Sequence, residues 1–199
     1  QGQIYAQGTA GSPITFTSNK ATPAAGDWRG LCFEEGSAGS ILDYVVVEYG
    51  GASMSCGGWS NQTANIIVTT DNITINHATI SKSNSRGIQL RGGEATITNS
   101  EIKDNRNNAI FSYAGGTVIV DSNNINDNTH TPILIEQTAT ATVTNNFISD
   151  NTEIPFVTVD SRSIPNLTVS GNIVTGDLVN AIGASASGAI NGTWSDHGI

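Results

Sequence analysis

Ile75-Asn76-His77-Ala78-Thr79-Ile80 and Ile97-Thr98-Asn99-Ser100-Glu101-Ile102 share one pattern: an aliphatic residue, four mostly polar residues, then a second aliphatic. The pattern returns in Val120-Asp121-Ser122-Asn123-Asn124-Ile125, Val143-Thr144-Asn145-Asn146-Phe147-Ile148 and Val169-Ser170-Gly171-Asn172-Ile173-Val174, at spacings of 22, 23, 23 and 26 residues. A second column, Ile88, Ile110, Ile133, Phe156 and Ile182, advances by the same steps. Between the columns lie the turns Ser83-Asn84, Asp104-Asn105, Asp127-Asn128, Asp150-Asn151 and Gly176-Asp177. Two columns in step indicate a structural repeat. A unit of this size cannot bury its apolar face alone, but stacked on copies of itself it can, each strand pairing with its equivalent about 4.8 Å along the axis. Like residues then form ladders, with Ile and Val inside and Asn in the turns, where its amide bonds to neighbouring amides and turn backbone. The spacing predicts an all-β parallel solenoid with coils of about 22–26 residues, most regular between residues 73 and 188.

Composition agrees. The 199 residues include 21 Asn, 23 Thr, 20 Ser and 22 Gly, together 86 or 43% of the chain. Ile plus Val number 35 against 6 Leu, a bias towards strands and away from helical cores. The Leu-x-x-Leu-x-Leu consensus of leucine-rich repeats is absent, and a β-sandwich would not repeat so evenly. Eight Lys plus Arg against 17 Asp plus Glu give a net charge of −9. With no basic cluster to displace phosphate counterions, nucleic-acid binding is excluded as a function class. No apolar run approaches the length of a membrane span, which excludes membrane insertion by helices.

More specific segments lie near the start: Ala6-Gln7-Gly8-Thr9-Ala10-Gly11-Ser12-Pro13-Ile14-Thr15-Phe16-Thr17-Ser18, Gly26-Asp27-Trp28-Arg29-Gly30-Leu31, and Ile41 through Gly51. Through them the chain resembles the right-handed parallel β-helix repeat modules of secreted bacterial and archaeal proteins, architecturally akin to pectate lyases. The generic coils of this likeness cover most of the chain, and the specific segments cover roughly its first fifty residues. The resemblance implies a right-handed β-helix and an extracellular or cell-surface location. In such proteins Thr-Trp segments like Thr193-Trp194, here followed by His197-Gly198-Ile199, usually open a module. Residues 1–199 are therefore expected to form a single β-helix domain that is a slice of a longer array. Its ends would meet a neighbouring module or another subunit of a filament; an arbitrary boundary would leave the same ends.

Several constellations could carry chemistry. Asp104, Asp127 and Asp150 occupy one turn position in successive coils, with Asp177 one place along. Stacked carboxylates repel or recruit a cation such as Ca²⁺, and paired carboxylates also serve glycoside hydrolysis, but the preferred reading is simple exposed turns with no cofactor. Arg86, Arg91 and Arg106, with Lys82 and Lys103, fall within two coils. The likeness to pectate lyases implies that such cations could abstract a proton beside a uronate carboxylate, although no lyase signature and no polygalacturonase Asp pairs are present; scattered surface charge is the alternative. Trp59, Tyr49 and Tyr113, together with Tyr44, offer flat surfaces for sugar rings, and Trp59 sits in a Gly57-Gly58-Trp59 excursion where the coil lengthens. Trp28 in Gly-Asp-Trp is expected to pack an early coil, as the likeness implies.

Cys32 and Cys56 are expected to pair in an oxidising setting, two buried thiols being the alternative. Four Asn-x-Thr sequons, at Asn61, Asn72, Asn166 and Asn191, are candidate glycosylation sites. His77, His130 and His197 are dispersed, and nothing resembles a zinc site or a Ser-His-Asp triad. Even coils favour an extracellular structural or adhesive module, self-assembling end to end or binding glycans, over an enzyme. The alternative is a polysaccharide lyase or glycoside hydrolase acting on acidic polysaccharide.

Overall fold

Alternation of inward aliphatic and outward polar residues closes each repeat into a three-sided coil. The computed structural model describes residues 2–152, 157–160, 162–176 and 181–185. The coils form an all-β right-handed parallel β-helix with three seven-stranded sheets. The first sheet contains Tyr5–Gln7, Ile41–Asp43, Ile73–Asn76, Glu94–Thr98, Thr117–Asp121, Thr140–Thr144 and Leu167–Ser170. The second contains Ile14–Phe16, Val45–Glu48, Thr79–Ser81, Glu101–Lys103, Asn124–Asn126, Phe147–Ser149 and Ile173–Val174. The third contains Leu31–Phe33, Ala64–Val68, Arg86–Arg91, Ile110–Tyr113, Ile133–Ile135, Val157–Asp160 and Ile182–Ser185.

Strand register reproduces the aliphatic column of the sequence. Ile75, Ile97, Val120, Val143 and Val169 pair in succession, as do Ile80, Ile102, Ile125, Ile148 and Val174. The pattern also reaches one coil further back, since Leu42 pairs with Ile75 and Val47 with Ile80. A 33-residue step hid this copy. The second column needs a correction: Ile133 pairs with Val157, not Phe156, and Val157 pairs with Ile182. Val157 and Val159 are both fully buried, so the one-residue shift keeps the apolar residues facing inwards. Phe156 itself lies outside the described residues.

The turn column is shifted as well. Tyr49, Lys82, Asp104, Asp127, Asp150 and Gly176 hold one corner position, all with positive φ. The residue after it, Asn105, Asn128 or Asn151, points inwards and is buried. Lys82, not Ser83, is thus the counterpart of Asp104. Gly176 has φ +77, and a side chain there would strike Asp150, so the column ends on the residue that tolerates this backbone without a Cβ. At the other corner Asn123, Asn146 and Asn172 form a second buried or half-buried ladder.

The rungs replace backbone bonding that turns cannot make. The Asn128 amide donates to Ile102 O, Asn126 O and Asn151 Oδ1, while its oxygen accepts from Asn105 N and Nδ2. Ser83 is too short to fill the rung below. Asn65, from the third sheet, reaches in and takes the equivalent acceptors Val47 O and Ser81 O, and accepts from Gly50 N. This repair accommodates the long excursion at residues 53–63, an antiparallel hairpin of Met54–Cys56 and Trp59–Gln62.

Candidate functional site

The hairpin leaves the solenoid between the second and third sheets and lies beside the outer face of the third. On strand Arg86–Arg91 the alternation buries Ile88 and Leu90 in the core and turns Gln89 and Arg91 outwards. In the next strand Phe111 and Tyr113 face outwards, opposite Gln89 and Arg91 in register. Their rings stack at 4.6 Å between centroids and 9° between planes. The Arg86 guanidinium lies 4.5 Å from the Phe111 centroid and donates to Gln89 Oε1 at 3.2 Å. Arg91 lies 3.6 Å from the Trp59 ring and donates to Tyr113 Oη at 3.1 Å. Gln89 links the two by donating to Gln62 Oε1 at 2.8 Å and Tyr113 Oη at 3.4 Å.

Electrostatically this face is unsatisfied. Nε of Arg86 and Nε of Arg91 are buried and have no hydrogen-bond partner. Among the described residues neither arginine has a carboxylate within ion-pair distance. Burial lowers the Arg86 pKa, offset in part by Tyr113 and Glu136, but a guanidinium stays charged. Glu136 stands one strand beyond Tyr113 in register; burial and the neighbouring Asp160 push its carboxyl up, against the pull of Arg162 and Arg86. Burial would raise Asp160 too, but hydrogen bonds from Gln137 N, Arg162 and Ser163 hold it below the usual carboxylate range.

The remaining sequence candidates disperse. Arg106 is exposed on the turn and donates to Asn84 Oδ1, away from the other two arginines. Lys82 sits 4.9 Å from the Tyr49 ring and bonds Glu48, contacts that raise its pKa with Tyr49 first. Tyr49 therefore belongs to a corner column and not with Trp59 and Tyr113. Lys103 pairs with Glu101 at 2.8 Å. Tyr44 stacks on His77 at 4.3 Å, and His77 Nδ1 is 3.1 Å from Asp43. Trp28 packs against the core and donates to Glu48 O, the structural role expected of it. The site gains Gln62, Gln89, Phe111 and Glu136, which motif reasoning overlooked. For Gln89, Phe111 and Glu136 the signal was the outward parity of the same register that defined the core; Gln62, on the hairpin, had none.

Asp104, Asp127 and Asp150 are exposed at the corner, placed there by the left-handed turn. Among the described residues, one group of three ligand atoms gathers within 4.8 Å: Cys32, Glu34 and Cys56. Its sulfurs are joined in the Cys32–Cys56 disulfide, which leaves no thiolate for a metal. Asn61, Asn72 and Asn166 are exposed, as is His130. Asn191, Asp177, Thr193-Trp194 and His197 lie outside the described residues. No helix among the described residues is long and apolar enough to cross a membrane.

Comparison with known proteins agrees with this architecture. Two solved structures from Azotobacter vinelandii share the fold: the A-module of mannuronan C-5 epimerase AlgE4, with TM-score 0.61, 14% identity and coverage of 81% of this chain and 55% of that one, and the A-module of mannuronan C-5 epimerase AlgE6, with TM-score 0.53, 14% identity and coverage of 81% and 54%. The chain thus spans about half the length of those modules. A search of curated proteins finds no match. The family described as "Right handed beta helix region" matches residues 55–193, that is 139 of 199. The chain belongs to the right-handed β-helix family.

Proposed function

We propose that this β-helix binds acidic polysaccharide along the outer face of its third sheet, at Arg86, Arg91, Trp59 and Tyr113, with the buried Gln62–Gln89 pair beneath them holding their geometry. The observation that carries the reading is the pair of half-buried arginines stacked on aromatic rings with, among the described residues, no carboxylate within ion-pair distance. In a chain of net charge −9, a carboxylate-bearing ligand supplies the counter-charge that these half-buried guanidinium groups lack. Aromatic rings beside them suit the C–H face of a sugar. The structural likeness to modules named as mannuronan epimerases supports the same substrate class, as an argument from fold. A disulfide fits the extracellular location this function requires.

The test is binding to polymannuronate and polygalacturonate against a neutral glucan of equal length. A charge-assisted bond contributes about 1.5–3 kcal/mol, so Arg91→Ala should weaken polyuronate binding roughly 10- to 100-fold. Equal affinity for neutral and acidic polymers would refute the proposal.

A catalytic reading of the same face is favoured by one contact. The Tyr113 hydroxyl accepts from Arg91, so a uronate carboxylate held by the arginine would bring its α-carbon towards a group able to exchange a proton. Glu136, with its raised pKa, is the nearest candidate acid in register. Epimerised residues seen by NMR, or unsaturated products absorbing in the ultraviolet, both lost in Tyr113→Phe, would support it. Binding with neither product assigns the face to adhesion. Ca²⁺ at Asp104, Asp127 and Asp150 belongs to this proposal, and its test is whether polyuronate binding falls when the ion is chelated.

A further inference from the structure

The hairpin is a weakly built element in a decisive place. Two antiparallel strands alone are marginal in water, and its pairing is interrupted by an irregularity between Met54 and Cys56. Its apolar residues, Met54 and Cys56, form a small cluster with Ala64 and Ile67 on the outside of the third sheet, separate from the solenoid core. Yet it delivers Trp59 to within 3.6 Å of Arg91 and Gln62 to 2.8 Å from Gln89. Besides that cluster and the Trp59–Arg91 contact it is tied by the Gln62–Gln89 bond, an exposed bond from Gly57 N to Glu34 Oε2, and the Cys32–Cys56 disulfide to the first strand of the third sheet. Only the last is covalent. Gly57 is fixed by the same approach: with φ +58, a Cβ there would fall 2.2 Å from Thr69 Oγ1.

Trp59 is 48% exposed although Arg91 lies against its ring. An indole has two faces, and with the guanidinium against one of them the exposure of Trp59 falls to the other face and the ring edge. We infer that the hairpin is a sugar-binding wall: the open face of Trp59 is a stacking subsite for a pyranose ring, next to the carboxylate subsite at Arg91, and the Cys32–Cys56 disulfide is the positioning element that holds it there. The inference rests on the polyuronate reading and adds a specificity element to it. Charge alone would accept any polyanion, whereas an indole held at a set distance from the guanidinium selects one whose rings and carboxylates alternate at matching spacing.

The experiment measures binding of a polygalacturonate or polymannuronate oligosaccharide, and of the ring-free polyanion polyphosphate, to the oxidised protein, the dithiol-reduced protein, the same sample reoxidised, and the variants Cys32→Ser/Cys56→Ser, Trp59→Ala and Trp59→Phe. Circular dichroism confirms that the solenoid stays folded. Expected is a 5- to 30-fold loss of oligosaccharide affinity on reduction, in the double serine variant and in Trp59→Ala. Reoxidation and Trp59→Phe should largely restore it, and polyphosphate binding should change less than twofold throughout. Trp59 should also become more open to acrylamide quenching on reduction, read as the difference from Trp59→Phe. Oligosaccharide binding that needs Arg91 but is indifferent to the disulfide would overturn this inference and leave the site intact. Absence of oligosaccharide binding by the oxidised wild type would overturn both.

Discussion

Replacing Asn128 by Ala should destabilise the solenoid far more than any change at its exposed neighbour Asp127. Asn128 is fully buried and its side chain takes part in five hydrogen bonds. Truncation strands the Asn105 backbone N–H, which donates to Asn128 Oδ1 at 3.2 Å, where water has no access. All five bonds are lost, but the Asn105 amide keeps Ile80 O and Asn151 Oδ1 keeps the Asn128 backbone N–H, so not every partner is orphaned. With 1–3 kcal/mol for the orphaned Asn105 N–H and about 0.5 kcal/mol net, the low end of the range, for each of the other four bonds, the loss is about 3–5 kcal/mol. Asp127→Ala removes an exposed carboxylate at φ 54 and should cost about 1 kcal/mol, the price of Ala in a left-handed turn. Urea denaturation followed by circular dichroism measures both, the midpoint reporting stability and the slope the size of the cooperative unit. Because coils interact chiefly with their neighbours, Asn128→Ala should also lower the slope by uncoupling the flanking coils. Hydrogen exchange at the Asn105 amide should accelerate. A loss under about 1 kcal/mol, or one equal to that of Asp127→Ala, would refute the view that the amide ladder holds the corner together.

Other expectations are simpler to check. Breaking Cys32–Cys56, which closes a loop with a sequence separation of 24, should lower stability by about 3 kcal/mol in the chain-entropy treatment, measured by denaturation with and without reductant. Glu136 has a folded pKa above its unfolded value, so it weakens the fold as pH rises above the usual carboxylate range; Glu136→Gln should gain stability relative to wild type at neutral pH and show no difference at pH 3, and a constant difference would contradict this. Asp27, held at about pKa 2 by Lys20, then Ser18 and Ala24 N, acts in the opposite sense: its contribution is present above pH 4 and lost as pH falls towards 2, a step that Asp27→Asn should abolish. The expectation that the ends of the array meet another subunit predicts light scattering that grows with concentration, and a strict monomer would dismiss it.

The solenoid was legible because its cause is local and repeated. An aliphatic pair five residues apart, returned every coil, admits one economical burial, and the Ile and Val excess over Leu follows from it. Asn at one offset announced the ladders, because an amide can both donate and accept along a stack. Where the coil departs from its period, the sequence alone was silent: the rung that Asn65 fills, the one-residue shift to Val157 and the copy at Leu42 all follow from long-range register. The site lay deeper still. Arg86, Arg91 and Arg106 read as one cluster along the chain, but Arg91 faces out by strand parity, Arg86 joins that face against Phe111 in spite of its parity, Arg106 lies on a turn, and Tyr49 sits at a corner away from Trp59. Sequence by itself therefore determined the repeat, its all-β character and the contents of its core, since these depend on period and side-chain chemistry. Only the tertiary structure decided which outward residues meet, because those contacts join coils and a hairpin whose separation in the chain carries no information about their distance in space.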